Sequence, residues 1–330
     1  MPNIEDFRAF YNEELLPLLD ELEHMRRSIL IKNIKTFFFF LGVGITAWII
    51  LSIWIKLTHR YYENYILVYY AALVIPMIAY IYKRKKPSSF FWRYNHEIIG
   101  GIVRFIEPSL YYKPESYIPF SSYRHSSLFD DNVDAYTGSD YIYGRVGHTN
   151  IWFSQIHAEK EEESYSTDDD GNTTIDTYWV TIFKGIFFVA DFNKDFDCTV
   201  ILRPRRRNII ELRRDDEIIL DYPEFMKYFS VYTDDIVEAR YVLSTSLMKR
   251  IVELRKNAKR DIYISFVPPN IYVAIPCNPL FYATYCRSIV DYKKMELYFY
   301  YLSFTIGIVE ELGLNRRIWG KKALSSTRNR

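Results

Sequence analysis

Twenty consecutive residues near the start of the chain, Thr36 to Ile55 (TFFFFLGVGITAWIILSIWI), carry no charge. A helix rising about 1.5 Å per residue needs about that many residues to cross roughly 30 Å of hydrocarbon. A chain folding wholly in water would have to bury such a stretch on every side, so no other feature restricts the fold as much. Tyr65 to Tyr82 (YILVYYAALVIPMIAYIY) is a second uncharged stretch, of eighteen residues. Pro76 inside it would kink a helix in water, and a bilayer span tolerates it. A charge at the centre of a span costs about 2.5–3.5 kcal/mol on insertion, and both stretches avoid that cost. The plainer alternative for each is a buried core helix; the membrane reading is the one taken. Only Lys56 to Asn64 separates the two, which predicts a transmembrane hairpin with both flanks on one side. Arg26, Arg27, Lys32 and Lys35 precede the first span, Lys83, Arg84, Lys85 and Lys86 follow the second, and the link holds only Lys56 and Arg60. By the positive-inside rule both termini are expected in the cytoplasm. Trp54, Tyr61, Tyr62 and Tyr65 gather at the far interface, and Tyr80 and Tyr82 at the near one, as an aromatic belt would.

The remainder reads as globular: 49% apolar and 25% charged residues overall. With 42 Lys+Arg against 41 Asp+Glu there is no basic footprint for nucleic acid. Cys198, Cys277 and Cys286 are an odd number and form no CxxC pair, which fits free thiols in a reducing compartment. The first thirty residues show no secretory signal pattern. The expected organisation is an amphipathic helix over 1–35, the hairpin over 36–82 with spans 36–55 and 65–82, a cytoplasmic domain over 83–320 and a basic tail over 321–330. Within 4–34, Tyr11, Leu15, Leu18, Leu22, Met25 and Ile29 make a heptad seam crossed by Pro17. A seam of this kind either joins copies of the chain into a homo-oligomer through residues 4–34 or packs within the chain, and the second reading is preferred.

Beyond Ser88–Glu107, a helix weakened at Gly100-Gly101, the pattern turns to strands. Tyr141–Val146 and Asn150–His157 flank a turn at Gly147-His148; Trp179–Phe183, Ile186–Asp191 and Cys198–Leu202 are further strands. Glu159–Thr177 is acidic and aperiodic, an exposed loop or long hairpin tip. Asp235 and Glu238 have the spacing of a capping box, and a helix is expected over Leu247–Asn257 after Ser244-Thr245-Ser246. Ile262–Val267 and Ile271–Ile275 read as a hairpin across Pro268-Pro269-Asn270. Met295–Val309 is apolar but short and flanked by charge, hence a buried helix of the domain, ending near Gly313. The fold class expected is membrane-anchored α+β, an antiparallel sheet packed with helices.

Several stretches resemble a bacterial family, domain of unknown function 3137: FKGIFFVADFNKDF (183–196), FSVYTDDIVEARYVLSTSLMKRIVEL (229–254), ISFVPPNIYVAIP (264–276), IVEELGLNRRIWG (308–320) and, more weakly, GRVGHTNIWFSQIHAE (144–159). The resemblance implies a bacterial inner-membrane protein. It brings no catalytic residues, and the Arg-rich run Arg203 to Arg207 has no counterpart in it.

Candidate chemistry is sparse. Asp191, Asn193, Asp195 and Asp197 alternate like the start of a calcium loop. Position six is Phe196 and position twelve Leu202, where Gly and Glu are needed. A polar turn between strands is the plain reading; a looser divalent-cation site is the other. Asp168 to Asn172 fails the same test. The six histidines lack zinc spacing, with His148 and His157 sharing one hairpin. Glu238 beside Arg240 is an acid–base pair that capping already explains. No G-x-S-x-G, P-loop or dinucleotide motif occurs, and no cofactor is expected. Arg203, Arg205, Arg206 and Arg207 are either a solvated hairpin tip or a patch for anionic lipid head groups, each exposed cation adding about 1 kcal/mol of attraction. Without interleaved aromatics of the RNA-binding type, nucleic acid is the weakest reading. The chain is read as a membrane-tethered binding or scaffold module rather than an enzyme. The alternative is a membrane-tethered hydrolase or metal-dependent enzyme built on Asp191–Asp197.

Overall fold

In a computed structural model of the chain, residues 2–57, 66–83, 88–167, 173–205, 217–279, 281 and 287–315 are described. The chain divides into two compact units, residues 8–98 with 283–292, and residues 1–7, 99–282 and 293–330.

The first unit is helical. Helix α1 (Ile4–Phe10) passes through a wide turn, Tyr11–Leu15, into α2 (Leu16–Leu57), which is 42 residues long. The wide turn accommodates Pro17. Proline lacks an N–H, and its ring collides with the carbonyl four residues back; here Leu16 donates to the Tyr11 carbonyl five residues back, the π-helical spacing. Of the expected seam, Tyr11, Leu15 and Leu22 are buried, as is Leu19, while Leu18, Met25 and Ile29 are half-buried. The chain itself supplies this cover, in part by Tyr292, whose ring meets Tyr11 edge-on at 5.0 Å. Beside the stripe Glu23 and Arg26 form a buried ion pair at 2.7 Å. Arg27 at 2.8 Å and the Ile289 N–H at 3.3 Å complete the carboxylate's partners. The Arg26 hydrogen bond, aided by Arg27, holds the Glu23 carboxyl at about 2 against the opposing pull of burial.

Past Thr36 the helix becomes apolar on all sides, and Phe38, Phe39, Ile50, Ile53, Trp54 and Leu57 lie exposed. Helix α3 (Ile66–Lys83) lies against it: Gly44 faces Ala72, Leu73 and Pro76, and Phe37 meets Tyr80 edge-on at 5.4 Å. Among the described residues, the helix Ile4–Leu57 is the one long and apolar enough to cross a membrane. Residues 58–65, which link the two apolar stretches, lie outside those described. Helix α4 (Ser88–Arg93) and a second wide turn, Tyr94–Ile99, close the unit, with Arg93 paired to Glu97 at 2.8 Å and Glu21 at 2.7 Å.

Among the described residues the second unit is a nine-stranded antiparallel sheet with helices. In chain order it comprises α5 (Gly100–Ile106), β1 (Leu110–Lys113), α6 (Phe120–His125), β2 (Ala135–Val146), β3 (Thr149–Thr167), β4 (Thr173–Asp191), β5 (Val200–Pro204), β6 (Glu217–Ile218), α7 (Pro223–Tyr228), β7 (Phe229–Thr233), α8 (Ile236–Val242), α9 (Thr245–Ala258), β8 (Tyr263–Val267), β9 (Asn270–Pro276) and α10 (Tyr292–Glu311). The strand order is β1-β2-β3-β4-β9-β8-β5-β7-β6. In β9 every residue from Ile271 to Ile275 is buried, so the middle of the sheet is covered on both faces. One face packs Phe183, Phe187 and Tyr272 against Tyr123 and Leu128. The Tyr123 and Phe129 rings stack there at 5.5 Å.

The turn at Gly147-His148 and the β8–β9 hairpin stand where the sequence puts them. Met295, Tyr298, Phe299, Leu302, Ile306 and Val309 bury α10 as expected. Its end is a Schellman turn: Gly313 at φ +68° donates to Glu310, and Leu314 donates to Val309. Three expectations change. Trp179–Phe183 and Ile186–Asp191 are one strand of 19 residues, β4, because Gly185 lets the β9 backbone pass close instead of breaking the ladder. Glu159–Thr177 narrows from a loop or a long hairpin tip to the hairpin, strand as far as Thr167 and from Thr173, since cross-strand hydrogen bonding to β4 needs no apolar period. The capping box is half made. Asp235 accepts from the N–H groups of Val237 and Glu238 at 2.8 and 3.0 Å, but Glu238 accepts from the Asp197 N–H instead of returning to the cap.

Candidate functional site

The loop after β4, the α8–α9 corner and the end of α10 meet at one cleft of about 80 Å³, lined by Asn193, Lys194, Ser244, Ser246, Arg250 and Leu314 among others. Three of the stretches that carry the family resemblance thus come together in space. Side-chain donors tie them to carbonyls at or just past helix ends, where the last turn leaves carbonyls without a partner inside the helix. Asn193 Nδ2 donates to the Leu314 carbonyl at 2.7 Å. Lys194 Nζ donates to the carbonyls of Tyr241 and Val242 at 2.9 and 3.1 Å, closing α8, and sits 5.0 Å from the Tyr241 ring. Burial lowers the Lys194 pKa from the ordinary lysine value. Arg250 Nη1 donates to the carbonyls of Glu310 and Glu311, both at 3.2 Å, closing α10. Gly313 belongs to the same joint. Its φ of +68° suits glycine, and a Cβ there would stand 3.3 Å from the Arg250 guanidinium. At the start of α9, Ser244 makes no side-chain cap, and its Oγ lies 3.2 Å from Ser246 Oγ. The chemistry available is that of hydrogen-bond donors and two cations, and these donors already hold the framework.

The alternating acidic run is not gathered around one point. Asp191 accepts from Asn150 Nδ2 at 2.6 Å, Asn193 is turned to Leu314, and Asp195 and Asp197 are exposed. Among the described residues no three His, Cys, Asp or Glu side chains are grouped to hold a metal ion. In the basic run, Arg203 pairs with Asp130 at 2.6 Å and lies 5.6 Å from the Tyr232 ring. Arg205 pairs with Glu217 at 3.2 Å and donates to the Met226 carbonyl at 3.0 Å. Arg206 and Arg207 lie outside the described residues, as do Asp168 to Asn172. The His148 N–H donates to Asn315 Oδ1 at 3.0 Å. His157 is eight residues along β3 from Thr149, roughly 26 Å away at strand spacing, and its Nε2 lies 3.3 Å from Glu159.

A buried carboxyl went unnoticed in the sequence. Asp140 is 4% exposed at φ +63°, inside the bulge of β2. It accepts from Tyr112 Oη at 2.5 Å, Ser139 Oγ at 2.5 Å and Gln155 Nε2 at 2.7 Å, and so joins three strands. Burial raises its pKa, and the three hydrogen bonds oppose the rise. One aspartate between Ser139 and Tyr141 gives no periodic signal that would mark it.

No curated protein matches the chain. Among solved structures, the crystal structure of the mycobacterial trehalose monomycolate transport factor A, TtfA, is similar at a TM-score of 0.33 and 11% identity, over 66% of this chain and 96% of that one. A likeness of that size carries no argument. The family described as protein of unknown function (DUF3137) matches residues 181–314. The match leaves out the weaker stretch 144–159 and takes in the loop after β4, α8, α9 and all of α10. The motif resemblance therefore holds over this segment: residues 181–314 match the DUF3137 family model.

Proposed function

We propose that the protein is a membrane-anchored binding module without an activity of its own. In this reading Thr36–Ile55 and Tyr65–Tyr82 form a two-helix membrane hairpin in a bacterial inner membrane, and both termini are cytoplasmic. The observation that carries the reading is the exposure of α2: only 11% of its most apolar 18-residue window is buried. Burying apolar surface is worth roughly 25 cal/mol per Å², so a surface of Phe, Ile, Trp and Leu favours lipid over water. The approach of Gly44 to Ala72 and Pro76 supports pairing of the two helices. The orientation rests on the basic residues flanking the apolar stretches. Binding is preferred to turnover because Asn193, Lys194 and Arg250 in the cleft are committed to helix-end carbonyls.

Fractionation with topology mapping tests this. The chain is expected in the membrane pellet after alkaline washing. A Thr58→Cys variant is expected to react with an impermeant maleimide from outside the cell, and a reporter fused after Arg330 to work only in the cytoplasm. Recovery of the intact protein in the detergent-free supernatant would refute anchoring, and an externally active reporter would refute the orientation.

A further inference from the structure

Beyond Glu159 strand β3 pairs only with β4, and before Gly185 strand β4 pairs only with β3. Residues 160–167 and 173–180 are therefore a two-stranded ribbon; on the β3 side the Glu161 N–H is taken by Asp134 Oδ2 at 2.8 Å, and the β4 edge is open among the described residues. Cross-strand partners share a face. One face holds Glu161 opposite Trp179, Glu163 opposite Thr177 and Tyr165 opposite Ile175. Tyr165, Ile175 and Trp179 are each more than half exposed. The other face holds Tyr178, whose hydroxyl donates to Glu162 at 3.0 Å. Four carboxylates, Glu161, Glu162, Glu163 and Asp176, stand against one cation, Lys160, itself engaged by Glu162 and Asp131.

Charge on an edge strand protects against self-pairing. Protection alone does not call for exposed rings between the charges, and apolar groups rimmed by charge mark a contact surface. We propose that this ribbon docks an extended cationic segment of a partner protein, one face of which carries both Lys or Arg and apolar residues, with small polar residues at the alternate positions. The segment adds as a strand, its main chain pairing with the open β4 edge. Its cations reach Glu161 and Glu163, and its apolar side chains lie near Ile175 and Trp179 on that same face. Charge decides among occupants: a second copy would set these carboxylates against their own kind, and an anionic lipid surface would repel them. The inference deepens the binding-module reading and rests on it.

The test uses the full chain in detergent and two labelled eight-residue peptides, one repeating Val-Ser-Lys-Ser so that Val and Lys share a face, the other with Glu in place of Lys, followed by fluorescence anisotropy. The Lys peptide is expected to bind, to weaken about tenfold with added salt, and to weaken likewise with Trp179→Ala/Ile175→Ser. The double variant Glu161→Lys/Glu163→Lys is expected to prefer the Glu peptide, an inversion that misfolding cannot imitate. Binding of neither peptide by the wild type, or an unchanged preference in the charge-reversed variant, would overturn the proposal. So would self-association, or attachment to phosphatidylglycerol vesicles, that depends on the ribbon. Membrane fractionation of the same proteins separates the two claims. A chain that stays in the pellet yet ignores both peptides refutes the docking ribbon alone.

Discussion

Single side chains set two clear expectations. Asp140 is buried among Tyr112, Ser139 and Gln155, and burial raises its pKa. A carboxyl raised on folding stabilises the fold fully below the ordinary aspartate value, and that contribution is lost as pH rises through the raised value. Above the ordinary aspartate range the wild type therefore loses stability that a non-titrating side chain would keep. Asp140→Asn is expected to melt at a higher temperature than the wild type at neutral pH, with the gap closing towards about pH 4. A gap constant with pH in thermal melts of the solubilised protein would show that the carboxyl keeps its ordinary affinity for protons. Gly185 is a steric matter: a Cβ there would stand under 3 Å from the Ile275 carbonyl and the Cys277 nitrogen. Gly185→Ala should cost about 2–3 kcal/mol, read as a lower midpoint of chemical unfolding. A loss below ~0.5 kcal/mol would mean that the two strands can part there cheaply. Neither residue announces itself in the sequence, because Tyr112 and Gln155 lie 28 and 15 positions away from Asp140 and only folding brings them to it. The alternating run marks Asp191, Asn193, Asp195 and Asp197 as a cation site, whereas of these Asn193 ties the cleft together through the Leu314 carbonyl, with Lys194 beside it.

At the scale of elements, legibility followed periodicity. The apolar period of α10 and the nearly continuous apolar runs of β8 and β9 come from burial, which leaves a pattern in composition. The outer half of β4 leaves none: Thr174 to Val180 is held by pairing with β3 and carries little buried surface. Strand β6 is two residues long and β1 four, too short for any period to register. Helix ends were read in part. Helix α10 stops at Gly313, as glycine at that place predicts. Helix α9 stops at Lys259, which takes the left-handed conformation at φ +52° that glycine adopts without strain. Lys259→Gly is accordingly expected to stabilise the protein by about 0.5–1 kcal/mol, visible as a higher unfolding midpoint. A drop would show that the lysine side chain contributes more than its backbone costs.

Over the whole chain, absence of charge over some twenty residues was the strongest sequence signal, and it corresponds to an exposed apolar helix in the structure. The division of the chain was less legible: residues 283–292 belong with the helical unit although more than 180 residues of sheet and helix separate them from it. Such a return is invisible to composition, since it is made by few contacts, Tyr11 with Tyr292 and Glu23 with Ile289 among them. Helix α2 has a further consequence. Its 42 residues extend about 63 Å without a joint, so the amphipathic half and the apolar half share one rotational phase. Adding a single residue between them would turn one against the other by about 100°, while adding seven would nearly restore the original azimuth. Whatever grips the Glu23 end therefore also fixes the compass bearing of Gly44.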